Sequence, residues 1–477
     1  MDGVWTAEQV RAAEAELMAL VPEGSLMRRA AFGLAVAARR MLPGPVTGRR
    51  VALLVGAGDN GGDALWAGAE LRRRGVGVTA VLLRPDRAHP AGLAALRRAG
   101  GRVVDAQDAA AARAVQAADL VIDGIVGISG KGALRDPAPA LVAAAAAAGV
   151  PVLACDLPSG VDPDTGDVVG PAVSATATVT FGVRKPVHAL AAERCGPVEL
   201  VDIGLGPHLP APHAHVLTAA DVAARWPVPG PADDKYSQGV TGVAAGSATY
   251  PGAAVLATGA AVLATSGMVR FAGSAADGVR ARWPEVIATD SFADAGRVQA
   301  WTVGPGIGTD DAGRDLLAAV LDAQVPACID ADAVTLLARH ADLRAGVKGR
   351  PIVITPHAGE FARIAGEVGP DRVAAARRAA AELGVTVLLK GNATVVADPD
   401  GRALVHPSPT SWAATAGSGD VLSGIVGALL AAGLEPWWAA GCAVWVHARA
   451  AGLAADGAPA PASAIQAAIP EVLRRVD

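Results

Sequence analysis

The amino-acid sequence predicts an α/β protein of two domains. Three observations carry this. The chain has 477 residues, more than twice the ~100–200 of a typical domain. Strand-like apolar runs alternate with longer Ala- and Arg-rich helical segments in each half. A stretch rich in Pro and His, residues 206–233, parts the halves, so the domains are expected at 1–205 and 234–477 with 206–233 as their linker.

Taken in order, residues 6–41 have apolar positions at helical spacing behind a Thr6-x-x-Gln9 capping signal and predict one or two helices. Strands follow at 51–55, 77–83, 120–122, 151–155, 177–181 and 198–201, and the alternation with helices implies a parallel sheet. The Ala-rich run 143–148 reads as a helix surface. In the second half strands are expected at 239–245, 300–303, 328–330, 351–355, 385–389 and 394–397. No charged side chain occurs between Tyr236 and Val269, longer than the ~20 residues of a membrane span. Tyr250-Pro251-Gly252 breaks that stretch, which therefore predicts strand, turn and buried helix, with no membrane partner.

Composition narrows the function. Apolar residues make up 52% of the chain and charged ones 18%, which excludes a disordered polypeptide. A net charge of -5 without a basic block argues against a nucleic-acid partner and for small-molecule work. The four cysteines are far apart and read as buried small hydrophobes, neither a zinc site nor a disulfide framework. Residues 1–12 carry Asp2, Glu8 and Arg11 and no signal-peptide core, so a cytoplasmic location is the default. Arg has replaced Lys almost everywhere: five Lys and two Asn remain, and a retained Lys or Asn gains weight as a chemically required group.

The strand at 51–55 runs into Gly56-Ala57-Gly58-Asp59-Asn60-Gly61-Gly62-Asp63 before a helix expected at 64–74. A glycine turn between strand and helix aims backbone N–H groups at an anion, although a tight corner alone needs the same residues. Two later strand ends join it: Asp123-Gly124-Ile125-Val126-Gly127-Ile128-Ser129-Gly130-Lys131 and Asp156-Leu157-Pro158-Ser159-Gly160. All three lie at the carboxyl ends of parallel strands and converge on one crevice. Oxygens of Asn60, Asp123 and Ser159 suit a monovalent cation, or each is a local turn cap.

Near the C-terminus Thr415-Ala416-Gly417-Ser418-Gly419-Asp420 precedes a helix expected at 421–430. Small residues let successive N–H groups face an anion, and Asp420 is placed to take a proton from a hydroxyl, or simply to stabilise the helix start. Four more strand ends carry Val303-Gly304-Pro305-Gly306-Ile307-Gly308, Asp330-Ala331-Asp332-Ala333, Thr355-Pro356-His357-Ala358-Gly359-Glu360 and Leu389-Lys390-Gly391-Asn392-Ala393-Thr394. A nucleotide and its acceptor lying across one sheet edge explain them together.

On these motifs the segment from about Trp5 to Leu205 resembles the NAD(P)H-hydrate epimerase family, the YjeF N-terminal domain, with Asp59 where that family usually has Asn. Residues from Asp234 to about Leu473 resemble the NAD(P)H-hydrate dehydratase branch of the ribokinase-like superfamily. Ser418 stands there for the commoner Thr, and Lys235-Tyr236-Ser237-Gln238-Gly239 departs from the usual H-K-G-x-x-G. The resemblance implies a Rossmann-like three-layer α/β/α domain followed by a ribokinase-like α/β domain.

It further implies K+ on Asn60, Asp123 and Ser159, and the hydrated dinucleotide against Asp59, Asn60, Gly61, Gly62, Asp63, Gly127, Ile128, Ser129, Gly130, Lys131, Gly132, Ala133 and Asp156. Lys185 matches a family Lys, and Asp156 and Lys185 are the candidate acid and base of epimerisation at C6, their roles open. In the second domain the resemblance implies adenine-nucleotide contacts by Lys390, Gly391, Asn392, Ala393, Thr394, Gly417, Ser418 and Gly419. It places the hydrate against Ala253 or Ala254, Gly306, His357 and Asp420. ADP is the expected co-substrate with Mg2+, NADH and NADPH hydrates are the expected substrates, and a homo-oligomer is expected. The alternative is a kinase of a vitamin-precursor alcohol with a non-catalytic ligand-binding module in front.

Overall fold

The structure is a computed structural model, described over residues 1–476. The chain forms two compact units: Gly3–Ala214, and a second running from His215 onward together with Met1–Asp2. The stretch read as a linker is structured. It holds the 3-10 turn Gly206–His208, the strand Ala214–Val216 and the helix Ala219–Ala223, whose Thr218–Asp221 capping box stabilises its start.

The first unit is a seven-stranded parallel sheet in the order Arg102–Asp105, Gly77–Leu82, Arg50–Val55, Leu120–Gly124, Val152–Cys155, Ala177–Phe181, Val198–Val201. Along Arg50–Val55, Val51, Leu53 and Val55 enter one core and Ala52 and Leu54 another, as the period of 2 requires. The first core is closed by the helices Ala7–Met18, Ser25–Met41 and Asp59–Arg73, the second by Ala109–Gln116 and Ala138–Ala147. The layers are therefore helix, sheet and helix. Thr6 and Gln9 form the expected capping box. One strand of this sheet escaped the sequence, Arg102–Asp105: it is an edge strand without a fully buried residue, so no apolar run marks it. One boundary is corrected. Asp59 to Asp63 form the first turn of the helix Asp59–Arg73, not a loop before it, because Gly58 takes the N-cap position.

The second unit contains a sheet whose strands lie in the order Ala403–Pro407, Ala393–Ala397, Thr386–Leu389, Ile352–Ile354, Ala327–Ile329, Ala300–Val303, Val240–Ala244, Met268–Ala272, Ile287–Thr289. From Thr386–Leu389 to Ile287–Thr289 the pairing is parallel, while Thr386–Leu389, Ala393–Ala397 and Ala403–Pro407 are antiparallel neighbours. The uncharged stretch forms the strand Val240–Ala244, a turn and the buried helix Pro251–Ala264, as read. No helix among the described residues is long and apolar enough to cross a membrane.

Pro251–Ala264 packs in one core with Ser418–Ala431, Pro436–Ala455 and Ala462–Leu473. Its approach to Ser418–Ala431 is backbone to backbone: a Cβ added at Gly424 would lie 2.2 Å from the carbonyl oxygen of Ala257. All four cysteines are buried and free.

Two candidate active sites

In the first unit a cavity of about 1320 Å³ opens at the carboxyl ends of the central strands, bordered by Glu14, Asp59, Asn60, Asp63, Gly127 and Asp156. Asp156 follows the strand Val152–Cys155 at φ 71°, a left-handed conformation that costs an L residue ~1–2 kcal/mol. Its Oδ1 receives the Lys185 ammonium at 2.5 Å and the Thr180 hydroxyl at 2.9 Å. Lys185 is only 1% exposed and also donates to the Thr180 hydroxyl and the Phe181 carbonyl. Burial pushes the Asp156 carboxyl up, but Lys185 and Thr180 outweigh it and hold Asp156 below the usual carboxylate range. His188 braces the pair: its Nδ1 accepts from the Lys185 N–H at 3.0 Å, leaving Nε2 to donate to the Asp156 carbonyl at 2.9 Å. Burial, with Lys185 nearby, pulls His188 down to about 4, so it is neutral.

Beneath the cavity floor Asn60, Asp123 and Ser159 meet. The Ser159 hydroxyl and N–H donate to the two oxygens of Asp123 at 2.7 and 2.9 Å, and Asn60 Nδ2 donates to the carbonyls of Cys155 and Val126 at 2.6 and 3.4 Å. Burial pushes Asp123 up to about 6 against those bonds from Ser159. Gly127 is required beside them, since a Cβ there would sit 2.2 Å from Asn60 Oδ1.

The second site is built around a buried ion pair. Lys390, at the end of Thr386–Leu389, holds Asp330 Oδ1 at 2.6 Å and lies 3.9 Å from Glu360. Asp330 also accepts from the Ala331 N–H and from Ser423, which belongs to the helix Ser418–Ala431. A Cβ added at Gly419 would meet the Lys390 ammonium at 3.4 Å, so that ammonium borders the helix start. Asp420 is in the first turn behind the left-handed Gly417. Burial, then the negative charge of Asp330, push its carboxyl up to about 7 against Lys390. The helix starts at Ser418, three residues earlier than expected, because Gly417 is its N-cap. His447 holds this turn from the helix Pro436–Ala455, with Nε2 3.1 Å from Ser418 Oγ and 3.0 Å from the Ser418 carbonyl.

His357 caps the helix Ala358–Ala365, its Nδ1 accepting from the N–H groups of Gly359 and Glu360, while its ring stands 56% exposed. Gly306 and Ala253 touch, with 3.1 Å between the Ala253 Cβ and one built at 306. Ala254 is buried in the core, so Ala253 is the residue of that pair at the surface. Arg372 donates to the Lys390 carbonyl at 2.9 Å and covers Gly391, and Ser408 N–H ties the following loop to the Asn392 carbonyl. Thr394 is half-buried and Ala393 buried in the strand Ala393–Ala397.

The structure thus brings together Asp59, Asn60, Gly61, Gly62, Asp63, Asp123, Asp156, Ser159 and Lys185, with Gly127, Ile128, Ser129 and Gly130 on the cavity wall. Lys131, Gly132 and Ala133 do not border the cavity; Lys131 and Gly132 are exposed. Sequence reasoning missed Glu14, His188 and Thr180, whose positions carry no motif. Asp330 and Glu360 stand within sequence motifs that by themselves give neither a role. Among the described residues no group of His, Cys, Asp and Glu has the arrangement of a metal centre.

The comparisons agree with both halves. The profile described as YjeF-related protein N-terminus matches residues 23–187, and that described as NAD(P)H-hydrate dehydratase matches residues 241–471. The chain is 60% identical over 436 residues, 90% of its length and 89% of the relative's, to the bifunctional NAD(P)H-hydrate repair enzyme Nnr of Mycobacterium tuberculosis. It is 58% identical over 460 residues, 95% of each chain, to that of Mycobacterium leprae. A ribokinase-like superfamily protein of Enterococcus faecalis shares the fold of the second half, with a TM-score of 0.51 at 22% identity over 55% of this chain and 96% of that one. Two domains matched in order, with relatives aligned over nearly the whole length, give one conclusion: the chain belongs to the family of bifunctional NAD(P)H-hydrate repair enzymes, an epimerase domain followed by a dehydratase domain.

Proposed function

We propose that the first unit, Gly3–Ala214, interconverts the R and S hydrates of NADH and NADPH and that the second, from His215 onward, returns the S hydrate to NAD(P)H at the expense of ADP. The observation that carries the second reaction is Asp420, a carboxyl held near pH 7 at a helix start with the Lys390 ammonium bordering the same turn. Asp420 takes the proton of the C6 hydroxyl as its oxygen attacks the terminal phosphorus of ADP and AMP departs. The N–H groups of Gly417, Gly419 and Asp420, with the Lys390 ammonium, are assigned to the charge that develops on the transferred group, the Ser418 N–H being bonded to the Thr415 carbonyl. The C6–O bond then breaks with phosphate as leaving group, and loss of a C5 proton restores the ring double bond. Lys390, Gly391, Asn392, Ala393, Thr394 and Gly419 are assigned to the nucleotide, and Ala253, Gly306 and His357 to the hydrate.

Mg2+ is assigned to the phosphates of the incoming nucleotide, because the nearest buried carboxylates, Asp330 and Glu360, already face Lys390. K+ fits the first site: Asp123 is buried, and its hydrogen bonds come from Ser159 and Ile125 with no basic side chain among them. Asn60, Asp123 and Ser159 would hold it, with the Val126 carbonyl beside them. When bound it supplies a fixed positive charge under the dinucleotide. The chain is proposed to work in the cytoplasm as a homo-oligomer, an expectation carried from the sequence that light scattering of the purified protein checks for assembly.

The test is incubation of the purified chain with mixed R and S NADH hydrates, Mg2+, K+ and ADP or ATP, following NADH absorbance and phosphate. Recovery of NADH from both epimers, lost in Asp420→Asn, is the expected result. Recovery from the S form alone removes the epimerase, and a stable phosphate ester in place of NADH favours the kinase of a vitamin-precursor alcohol.

A further inference from the structure

One buried polar group of the first cavity, expected against the dinucleotide, has no chemical role yet. Asp63 lies on the helix Asp59–Arg73, borders the cavity and is 7% exposed, and its Oδ1 is buried without a hydrogen-bond partner. Its charged neighbours are carboxyls: Asp59 on its own helix, Glu14 from the helix Ala7–Met18, and Asp156 after Val152–Cys155. The thiol of Cys155 is also near and is itself pushed up by burial. The cations of the region are committed elsewhere, Lys185 to Asp156 and Arg11 beside Glu14, while His89 contributes to the cavity wall near Gly62. Burial first, then these like charges, hold Asp63 well above the carboxylate range, whereas Asp156 is held below it. Two carboxyl groups on one cavity, one with an orphaned buried oxygen and one paired with Lys185, are thereby shifted in opposite directions, Asp63 towards its protonated form and Asp156 towards its ionised one, as suits an acid and a base acting together.

We propose that Asp63 is the proton donor of the epimerisation, delivering its proton to the C6 hydroxyl of the bound hydrate. The inference rests on the reading of this cavity as the epimerase site. As the proton arrives, the C6–O bond breaks, its electron pair leaves with water, and the N1 lone pair forms a C6=N1 iminium. Water then adds to C6 from the other face, the iminium pair returns to N1, and the entering water passes its extra proton to the Asp156 carboxylate. The two carboxyls exchange roles for the reverse direction, and solvent exchange resets them. Asp63 is thus the acid of one direction and the base of its reversal, with Asp156 as partner. Lys185 is then a positioning residue that keeps Asp156 ionised.

The test uses the full chain without ADP, so that the second site consumes nothing, and follows R and S NADH hydrates by chromatography. Asp63→Asn is expected to slow interconversion by about 100-fold or more, the usual worth of a positioned acid. It should also remove an infrared carboxylic-acid band present in the wild type at pH 7. Asp63→Glu should keep that band and part of the rate, and wild-type kcat/KM should fall at alkaline pH. Asp63→Asn as fast as wild type, or no infrared band that depends on Asp63, overturns the proposal. Wild type no faster than the uncatalysed interconversion overturns the epimerase reading instead. If Asp63→Asn does not fold, Asp63→Glu and the wild-type profile decide, and a rate flat into alkaline pH sinks the proposal.

Discussion

The two units repeat one device and tune it in opposite senses. Each carries a Lys–Asp pair at the end of a parallel strand, Lys185–Asp156 at 2.5 Å and Lys390–Asp330 at 2.6 Å, next to a residue or at a residue with positive φ, Asp156 and Ala331. Each has a further carboxyl nearby whose proton is held tightly, Asp63 or Asp420. In the first unit the pair is sealed, with Lys185 1% exposed, and Asp63 is surrounded by acids. In the second Lys390 is 18% exposed and borders the helix turn that carries Asp420, so its charge pulls that carboxyl back to about 7. Whether a buried carboxyl serves as acid or base is set by where the nearest ammonium spends its charge.

The sharpest way to break the comparison is to remove the second unit's base. Asp420→Asn is expected to lower dehydration kcat by about 100- to 10,000-fold with little change in KM, measured as NADH formed from the S hydrate. Next comes the sealed pair. Lys185→Met leaves a carboxylate buried without its partner and should cost about 3–5 kcal/mol in urea unfolding. Because Asp156 is held below its ordinary value, that stability is present above about pH 4 and fades as pH falls further, so the gap between variant and wild type should narrow in acid.

The Asp420 proton supplies a third test. Its carboxyl titrates at about 7, so kcat/KM for dehydration should rise through neutral pH and level off. The same shift has the opposite sign for folding: a raised carboxyl is most favourable below its unfolded value and loses stability as pH rises towards 7. Asp420→Asn should therefore gain about 1–2 kcal/mol over wild type at pH 8, read by thermal unfolding. The smallest effect is expected from the cation. Replacing Na+ by K+ at about ten times its dissociation constant should stabilise the first unit by about 1.4 kcal/mol. Gly127→Ala, which crowds Asn60, should abolish the gain.

Much of this was readable in the sequence because both sites sit where parallel strands end, and such ends advertise themselves as apolar runs closed by Gly, Asp, Lys and Asn. The retained residues were informative: Lys185 and Lys390 are the two ammonium groups of the sites, and Asn60 lies in the candidate cation cluster, whereas Lys131 and Lys235 are exposed. Edge strands such as Arg102–Asp105 and Ile287–Thr289 were unreadable, since an edge buries too little to need an apolar run. Glu14 and His188 were hidden for another reason. Their importance comes from what folding places opposite them, Asp156 and Lys185, and neither is a neighbour that spacing along the chain reveals for Glu14.

The contact at Gly424 acts as a gauge block. Gly424 lies one turn beyond Asp420, and Ala257, whose carbonyl a side chain there would meet, lies one turn beyond Ala253, so the missing side chain sets how closely the helices that carry the candidate base and a candidate hydrate contact can lie. A methyl group there would push the two helices apart far from either ligand, so a change outside both sites would cost stability and turnover together.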